Sequence, residues 1–491
     1  MLRKLVKMQL RESERLKAEL AAAHAQLKDK NQGDAEQLAL KLAKIERQHA
    51  AALKQLFGSK SEKRSKEGKT KARAPQKGHG PRSQPQLPLV EKRHTLPEQE
   101  RVCDLCDKPM EEWKDKFETS EEIDFIAPQV IIRRHLRQKY RCTCGGCVKT
   151  APGALKLFPK ARYSINLALH VALQKYCYHM PLSRQVKVFK RQGLDVNTAT
   201  LWDYLSALYG LLKPALERLE EHVLAQPVMG MDETRWKLLK SENKGKSKTW
   251  WVWVRRVHNA VHYAFEPART HETAIRLLES YKGVVIADGY HAYEAARDSN
   301  SKIQLANCWS HSRREVLPFE EDPRAARVLR VIQRMYRLEA MAKAKGLSPP
   351  ELLEWRQRKT RPLLEAFFRW VNTLMIPSTF ELHAALRYIV KREEPLKRFL
   401  DNPHLEPDNN ETERVIRGVV VGRKNFYGSR SVRGTQVAAL FYSLLDSAAL
   451  AGVNPKDYLA LAVKAALAKQ QIPLPHEMLE AETPSTAASA A

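Results

Sequence analysis

Val228-Met-Gly-Met-Asp-Glu-Thr-Arg-Trp236 is the stretch on which the fold turns. Read as a strand, it sends Val228, Gly230 and Asp232 to one face and Glu233 to the other, because successive side chains alternate. Thr249 to Val257 and Val261 to Pro267 read as two more strands, joined by short polar turns. A helix over Thr270 to Tyr281 leads to Gly283-Val-Val-Ile-Ala-Asp-Gly289, an apolar run with Asp288 at its carboxyl end. Another helix and a strand from Ile303 to Trp309 follow.

Three meandering strands, then helix and strand twice, is the order of a ribonuclease-H-like mixed α/β sheet. In that topology Asp232 and Asp288 come from neighbouring strands. Two carboxylates forced together without a cation raise one pKa and lose stability. A divalent metal resolves the conflict, and Mg²⁺ or Mn²⁺ suits all-oxygen ligands, two ions serving phosphoryl transfer. As a strand-end acid and a turn residue, the two would need no catalytic role.

Glu413 shifts that balance. It lies in Asp408 to Arg430, reading DNNETERVIRGVVVGRKNFYGSR, on a helix entered after Pro407 that Asp408 or Asn409 can cap. Glu411 and Glu413 point about 200° apart at helical pitch, so both cannot face the metals. Glu413 shares its face with Arg417, and Glu411 stands as its rival for the third ligand.

Farther out, composition sets the class of partner. The chain has 491 residues, enough for several domains, and a net charge of +28, which favours nucleic acid or an anionic surface. No apolar run is long enough to span a membrane and Met1 opens no signal-like segment, which predicts a cytoplasmic protein. Residues 1–57 carry heptad-like runs (Leu16, Leu20, Ala23, Leu27; Leu38, Leu42, Ile45) that predict a coiled coil or helical hairpin, and a homo-oligomer with it. Residues 58–95 are basic and rich in Gly, Pro and Ser, as in a flexible linker.

Residues 96–160 hold five of the seven cysteines. Cys103, Cys106, Cys144 and Cys147 form two knuckle-like pairs that suit a structural tetrahedral Zn²⁺, with Cys142 competing with Cys144. Strands are expected at Glu122 to Pro128, Val130 to His135 and Lys139 to Arg141. Residues 161–225 are helical by period, with a Gly193 turn and a third helix from Thr198 to Leu211 capped by Asn197. That is the order of a helix-turn-helix, and it puts Asn197, Thr198 and Thr200 at the groove-facing start of a DNA-reading helix; ordinary helix packing explains the same pattern. The catalytic core is expected at 226–430 with a helical insertion at about 315–400, then C-terminal helices at 431–470 and a disordered tail at 471–491.

With these residues assembled, the chain resembles the DDE transposases of the insertion-sequence-sixty-six family. The likeness rests on LFGSKSEK at Leu56, the paired cysteines, KYCYHMPLSRQ at Lys175, MDET at Met231, ADGY at Ala287, CWSHSRR at Cys308 and DNNETERVIRGVVVGRKNFYGS at Asp408. The resemblance implies an acidic triad of Asp232, Asp288 and Glu413 holding two Mg²⁺ or Mn²⁺. It also implies cleavage of transposon ends by water and attack of the freed 3′ hydroxyl on target DNA. Arg414, Arg417, Arg423 and Lys424 would hold phosphates, and His311, Arg313 and Arg314 would orient DNA. Small accessory proteins of the same element are implied partners. A DNA-binding protein with a decayed core, or a nuclease that cuts without joining, would share most of these features.

Overall fold

The computed structural model describes residue 99 and residues 129–141, 148–239, 248–375, 377 and 380–478. The chain divides into two units, Met1–Glu122 and Ile123–Ala491, and all but the first of these residues belong to the second. The expected coiled coil and linker, the four zinc cysteines with Cys142, the strand at Glu122 to Pro128 and the tail beyond residue 478 lie outside the described residues.

A hairpin of β1 (Lys139–Arg141) and β2 (Val148–Thr150) precedes three helices, α1 (Ile165–Tyr176), α2 (Leu182–Arg191) and α3 (Thr198–Leu224). Val130 to His135 has no strand pairing, contrary to expectation. Ile131 and Ile132 are exposed, and no partner strand covers them among the described residues. The helix-turn-helix order is present: Gly193 turns with φ +83°, and the Asn197 side chain accepts from Thr200 N. The third helix, however, runs on to Leu224 through Pro214, because Leu212, Ala215, Leu219 and Val223 continue its buried stripe.

The main sheet follows: β3 (Val228–Leu238), β4 (Lys248–Arg256), β5 (Val261–Glu266), α4 (His271–Leu278), β6 (Gly283–Ala287), α5 (His291–Ser299) and β7 (Ile303–Asn307). Its order is β5-β4-β3-β6-β7. The first three strands pair antiparallel, and β3-β6 and β6-β7 pair parallel. This mixed sheet with helices on it is consistent with the expected ribonuclease-H-like core. Alternation splits the interior in two. Met229, Met231 and Val285 join the core shared with α1, α3 and the C-terminal helices, whereas Val284, Ile286 and Ala306 pack with the helices that follow β7.

Those helices are α6 (Trp309–Val316), α7 (Pro323–Ala344), α8 (Pro349–Trp355), α9 (Arg361–Asn372), α10 (Glu381–Val390) and α11 (Glu393–Lys397). A π-helical turn, Arg356–Thr360, joins α8 to α9. Buried Arg356 pairs with Glu339 and donates from one nitrogen to the carbonyls of Phe399, Asn402 and Leu405. It thereby fixes the segment that delivers α12 (Asn410–Phe426), after which α13 (Val432–Leu450) and α14 (Pro455–Leu467) close the larger core.

α12 lies along β3 and is tied to it at both ends. A Cβ on Gly230 would come 2.1 Å from Thr412 Oγ1 and 2.7 Å from Asn409 Oδ1, so only glycine admits the first turn. Asn409 Nδ2 donates to Met231 O at 2.7 Å. Farther along, Arg423 donates to Thr234 Oγ1 and to the Arg235 carbonyl, and Phe426 packs edge-on to Trp236. No helix among the described residues is long and apolar enough to cross a membrane.

Gly230→Ala is therefore expected to destabilise by about 1–3 kcal/mol through overpacking. Gly210→Ala, in α3 with nothing near its Cβ position, should stabilise by up to about 1 kcal/mol. Urea midpoints of the two variants test both signs, and equal shifts would remove the steric role of Gly230.

Candidate active site

Strand register brings the two aspartates together. Gly230 pairs with Ile286 in the parallel β3-β6 ladder, and the same offset continued by two residues sets Asp232 opposite Asp288. Ala287 pairs with Asn307 across β6-β7, and one step farther the register reaches Cys308. Asp232, Asp288 and Cys308 thus form a row across three parallel strands, just past the carboxyl ends of β6 and β7 and within β3, which runs on to Leu238, about 4.8 Å apart from strand to strand. α12 crosses this end of the sheet, and Asn409 N donates to Cys308 Sγ at 3.3 Å.

Glu233 faces away, as alternation requires. Its carboxylate accepts from Arg269 Nε at 2.5 Å and from the Tyr293 hydroxyl at 2.6 Å. Burial raises its pKa, and those two partners oppose the rise. It is a structural anchor for α4 and α5, and Arg269 in turn stacks on Tyr290 at 3.9 Å.

Asp232 is in a different situation. Its Oδ1 accepts only from the Glu233 N–H, at 2.8 Å, among the hydrogen bonds of the described residues. Burial pushes its carboxyl up to about 7, helped by the negative charges of Glu233, Asp288 and Glu413. Asp288 is held by Tyr290 N at 3.0 Å, while Asn307 Nδ2 donates to its carbonyl and Arg392 clamps the Gly289 carbonyl, each at 3.0 Å.

Glu413 sits between two environments. Arg314 donates to both of its oxygens, at 2.8 and 3.2 Å, and His311 Nε2 lies 3.7 Å from Oε1. Burial and then the Arg314 charge lower the His311 pKa, so the imidazole is neutral near pH 7. Among the described residues, the set of three possible metal-binding side chains with all donor atoms within 4.8 Å is Cys308, His311 and Glu413. The carboxylates of Asp232 and Asp288 are not in that set. Glu411 turns elsewhere, pairing with Arg414 and lying 3.8 Å from Arg256.

The donor chemistry fits a hard divalent cation at Asp232 and Asp288, where crowded, poorly neutralised carboxylate oxygens gather. Glu413 is held by Arg314 and, among the described residues, does not form with the two aspartates a set whose donor atoms all lie within 4.8 Å of one another. With Cys308 and His311 the same glutamate would make a sulfur, nitrogen and oxygen set of the kind zinc accepts. The Cys308 thiol is pushed up to about 11 by burial, which opposes that alternative.

The remaining predicted contacts divide. Arg414, Arg417 and Lys424 are exposed on α12. Arg423 is instead turned inward onto β3, so it holds the helix rather than facing solvent. Arg313 is half-buried on α6. Asn197 caps α3, Thr198 is exposed, and Thr200 is half-buried; Thr198 lines a groove with Phe426 at the opposite end of α12 from Glu413. Asn409, read as a possible cap, is the N-cap residue but spends its side chain on Met231 O, while Cys308 and Arg392 were not anticipated at the site, and of these two only Cys308 had a local signal, its place beside the strand end.

The family model described as Transposase IS66 family matches residues 160–437. Among curated proteins, the chain is 28% identical over 380 residues to "Uncharacterized protein y4jD" of Sinorhizobium fredii, covering 73% of each chain. It is 26% identical over 401 residues to "Uncharacterized protein y4hP" of the same organism, covering 76% of this chain and 71% of the other.

The raised Asp232 pKa makes a pH-dependent prediction. The folded state keeps the proton up to about pH 7, whereas the unfolded aspartate loses it near 3.9, so stability falls as pH rises between these values. Asp232→Asn should melt close to wild type at pH 4 and be more stable at pH 8, by a few kcal/mol at most. Millimolar Mg²⁺ should narrow the pH 8 gap by stabilising wild type alone. Thermal melts of both proteins over pH 4–8 check this, and a gap independent of pH would contradict the site's electrostatics.

Proposed function

The chain belongs to the IS66 family of transposases, and on that premise we propose that it is a DDE-type DNA transposase with a ribonuclease-H-like core. In this reading it binds transposon ends, hydrolyses a phosphodiester there and joins the freed 3′ hydroxyl to target DNA. The observation that carries it is the register that sets Asp232 beside Asp288, with the Glu413 charge close enough to act on Asp232.

Asp232, Asp288 and Glu413 would hold two divalent cations, which would supply activation of a water and charge neutralisation at the scissile phosphate. The chain's own groups do the positioning. Asp288 is held rigid by the Tyr290 N–H, the Asn307 amide and the Arg392 clamp on Gly289. Arg314 makes a forked contact with Glu413, and a phosphate offers the same paired acceptors. Exchange of Glu413 for a DNA phosphate on Arg314 frees the carboxylate for its role as substrate arrives. His311, neutral and beside both groups, accepts or donates one hydrogen bond in that exchange.

The two steps balance without an outside energy source. Water's oxygen bonds to phosphorus as the 3′ oxygen leaves with a proton; that 3′ oxygen then bonds to a target phosphorus and displaces another 3′ oxygen. Lys and Arg in excess across the chain, net +28, suit a substrate that is polyanionic at both steps.

Asp232→Asn, Asp288→Asn and Glu413→Gln are each expected to lower cleavage and strand transfer by at least about 10²-fold, with binding of the same end DNA changed less than about threefold. The assay uses DNA bearing the element's own ends and Mg²⁺ or Mn²⁺. Unimpaired cleavage by any of the three removes that residue from the catalytic set. Wild-type cutting without a joined product makes the protein a nuclease.

A further inference from the structure

A groove of about 1180 Å³ opens at the far end of α12, between the starts of α2, α3 and α13, the end of β3 and the start of β4. Two half-buried tryptophans line it, Trp202 of α3 and Trp250 of β4, with Phe426 and Trp236 deeper in. Among the described residues its charged lining is Lys175, Lys248 and Arg430, with no acidic residue beside them. Pro181, Leu182 and Ser183 at the start of α2 also line it, without a side-chain cap on the helix. Three cations against no anion, in a groove walled by aromatic rings, is complementary to a base with its phosphate and not to an apolar peptide.

The groove and the proposed catalytic end lie at opposite ends of α12. Glu413, Arg417 and Lys424 fall within about 40° of one another around α12, a basic face that a strand can follow along the helix, while Phe426, about 220° from Glu413, lines the groove from the other side, so the strand must round the end of α12 to enter. From Glu413 to Phe426 the helix advances about 20 Å. A stacked strand covers that distance in about six nucleotides, at about 3.4 Å each.

We propose that this groove holds unpaired nucleotides of the DNA strand whose scissile phosphate lies at Asp232, Asp288 and Glu413. Trp202 and Trp250 supply the stacking faces, and Lys248 and Arg430 the phosphate contacts. Stacking against a tryptophan face tolerates any base, so the groove selects for an open strand and not for sequence. A duplex cannot present a base face sideways, so entry requires that about one to three nucleotides leave the helix some six positions from the cut. The proposal rests on the transposase reading for which strand enters, and on the groove alone for the kind of ligand.

The test begins with the full chain and a fluorescein-labelled 20-nucleotide oligo(dT), compared with a 20-base-pair duplex. Trp202→Ala should weaken oligo(dT) binding about tenfold and Trp202→Phe less than about threefold, with duplex binding changed less than about threefold. Because Trp202 is half-buried, the exposed pair Lys248→Ala/Arg430→Ala serves as a second variant. It should reduce the slope of log K against log salt for oligo(dT) by about 1.4. In the second arm, 2-aminopurine is placed singly at positions three to nine from the terminus of an end duplex. Its fluorescence should change most near position six, and Trp202→Ala should abolish that change.

Equal losses on oligo(dT) and duplex, or an unchanged salt slope, overturn the proposal, as does a 2-aminopurine signal with no positional maximum. Tight binding of a second copy or a peptide that Trp202→Ala weakens, with oligo(dT) unaffected, also overturns it. The two readings separate cleanly. If oligo(dT) binding depends on Trp202 but the three carboxylate variants cleave as wild type, the catalytic reading fails and the groove stands. If the carboxylates are required but Trp202 is indifferent, the groove alone fails.

Discussion

The contact on which the structure depends is the seat of α12 on β3 at Gly230. A helix beginning over a strand must bring backbone close to backbone, and a side chain at that point would collide with Thr412 and Asn409. Glycine removes the collision, and Asn409 uses the space to donate to the Met231 carbonyl. Helix and strand then run alongside one another, meeting again at Thr234 with Arg423 and at Trp236 with Phe426. From Thr412 to Phe426 the helix advances about 21 Å, and from Gly230 to Trp236 the strand about 20 Å. Matching travel is what allows one seat to fix the first turn of α12 on Gly230 at one end and Phe426 against Trp236 at the other.

Charge balance is the second constraint, and it is left deliberately uneven. Several other buried ions are matched, Glu233 with Arg269, Glu339 with Arg356 and Glu220 with Arg255, whereas Asp446, also raised by burial, is held by the Tyr263 hydroxyl and no cation among the described ion pairs. At Asp232 no cation answers the carboxylate among the ion pairs of the described residues, although Arg314 stands near enough to hold Glu413. Removing a buried carboxylate from water costs far more than an exposed one gains from a loose partner. Such a site is destabilising unless something positive joins it, which is a reason to expect a cation or a substrate-bound cation in the working protein.

Much of this was legible in the sequence because it depends on local period. Period two separates Asp232 from Glu233, and the structure turns Glu233 to Arg269 and Tyr293 as expected. Helical pitch separates Glu411 from Glu413, and the two indeed take different partners, Arg256 with Arg414 and Arg314 with His311. Strand order followed from the spacing of apolar runs. What was not legible depends on elements meeting across long separations. Cys308 reaches Glu413 only because β7 pairs beside β6, and Arg423 turns inward only because β3 offers it an unpaired carbonyl. The continuation of α3 past Leu211 was masked by Pro214, whose lost hydrogen bond is outweighed by the buried stripe it interrupts.

The inward turn of Arg423 has a further bearing on how α12 works. On the exposed side, Arg414, Arg417 and Lys424 remain to meet phosphates. Had Arg423 joined them, the helix would be held to β3 by apolar contact at Phe426 and the Asn409 end alone. Its bond to the strand instead anchors the last turn of α12, so a phosphate pulling on Arg417 or Lys424 cannot lift that end of the helix without breaking a charge-assisted bond to a carbonyl. Because Glu413 rides on the same helix, that anchor couples the grip on DNA to the position of the carboxylate. A basic helix that merely floated on the surface could bind DNA as tightly and would give the carboxylate no fixed place.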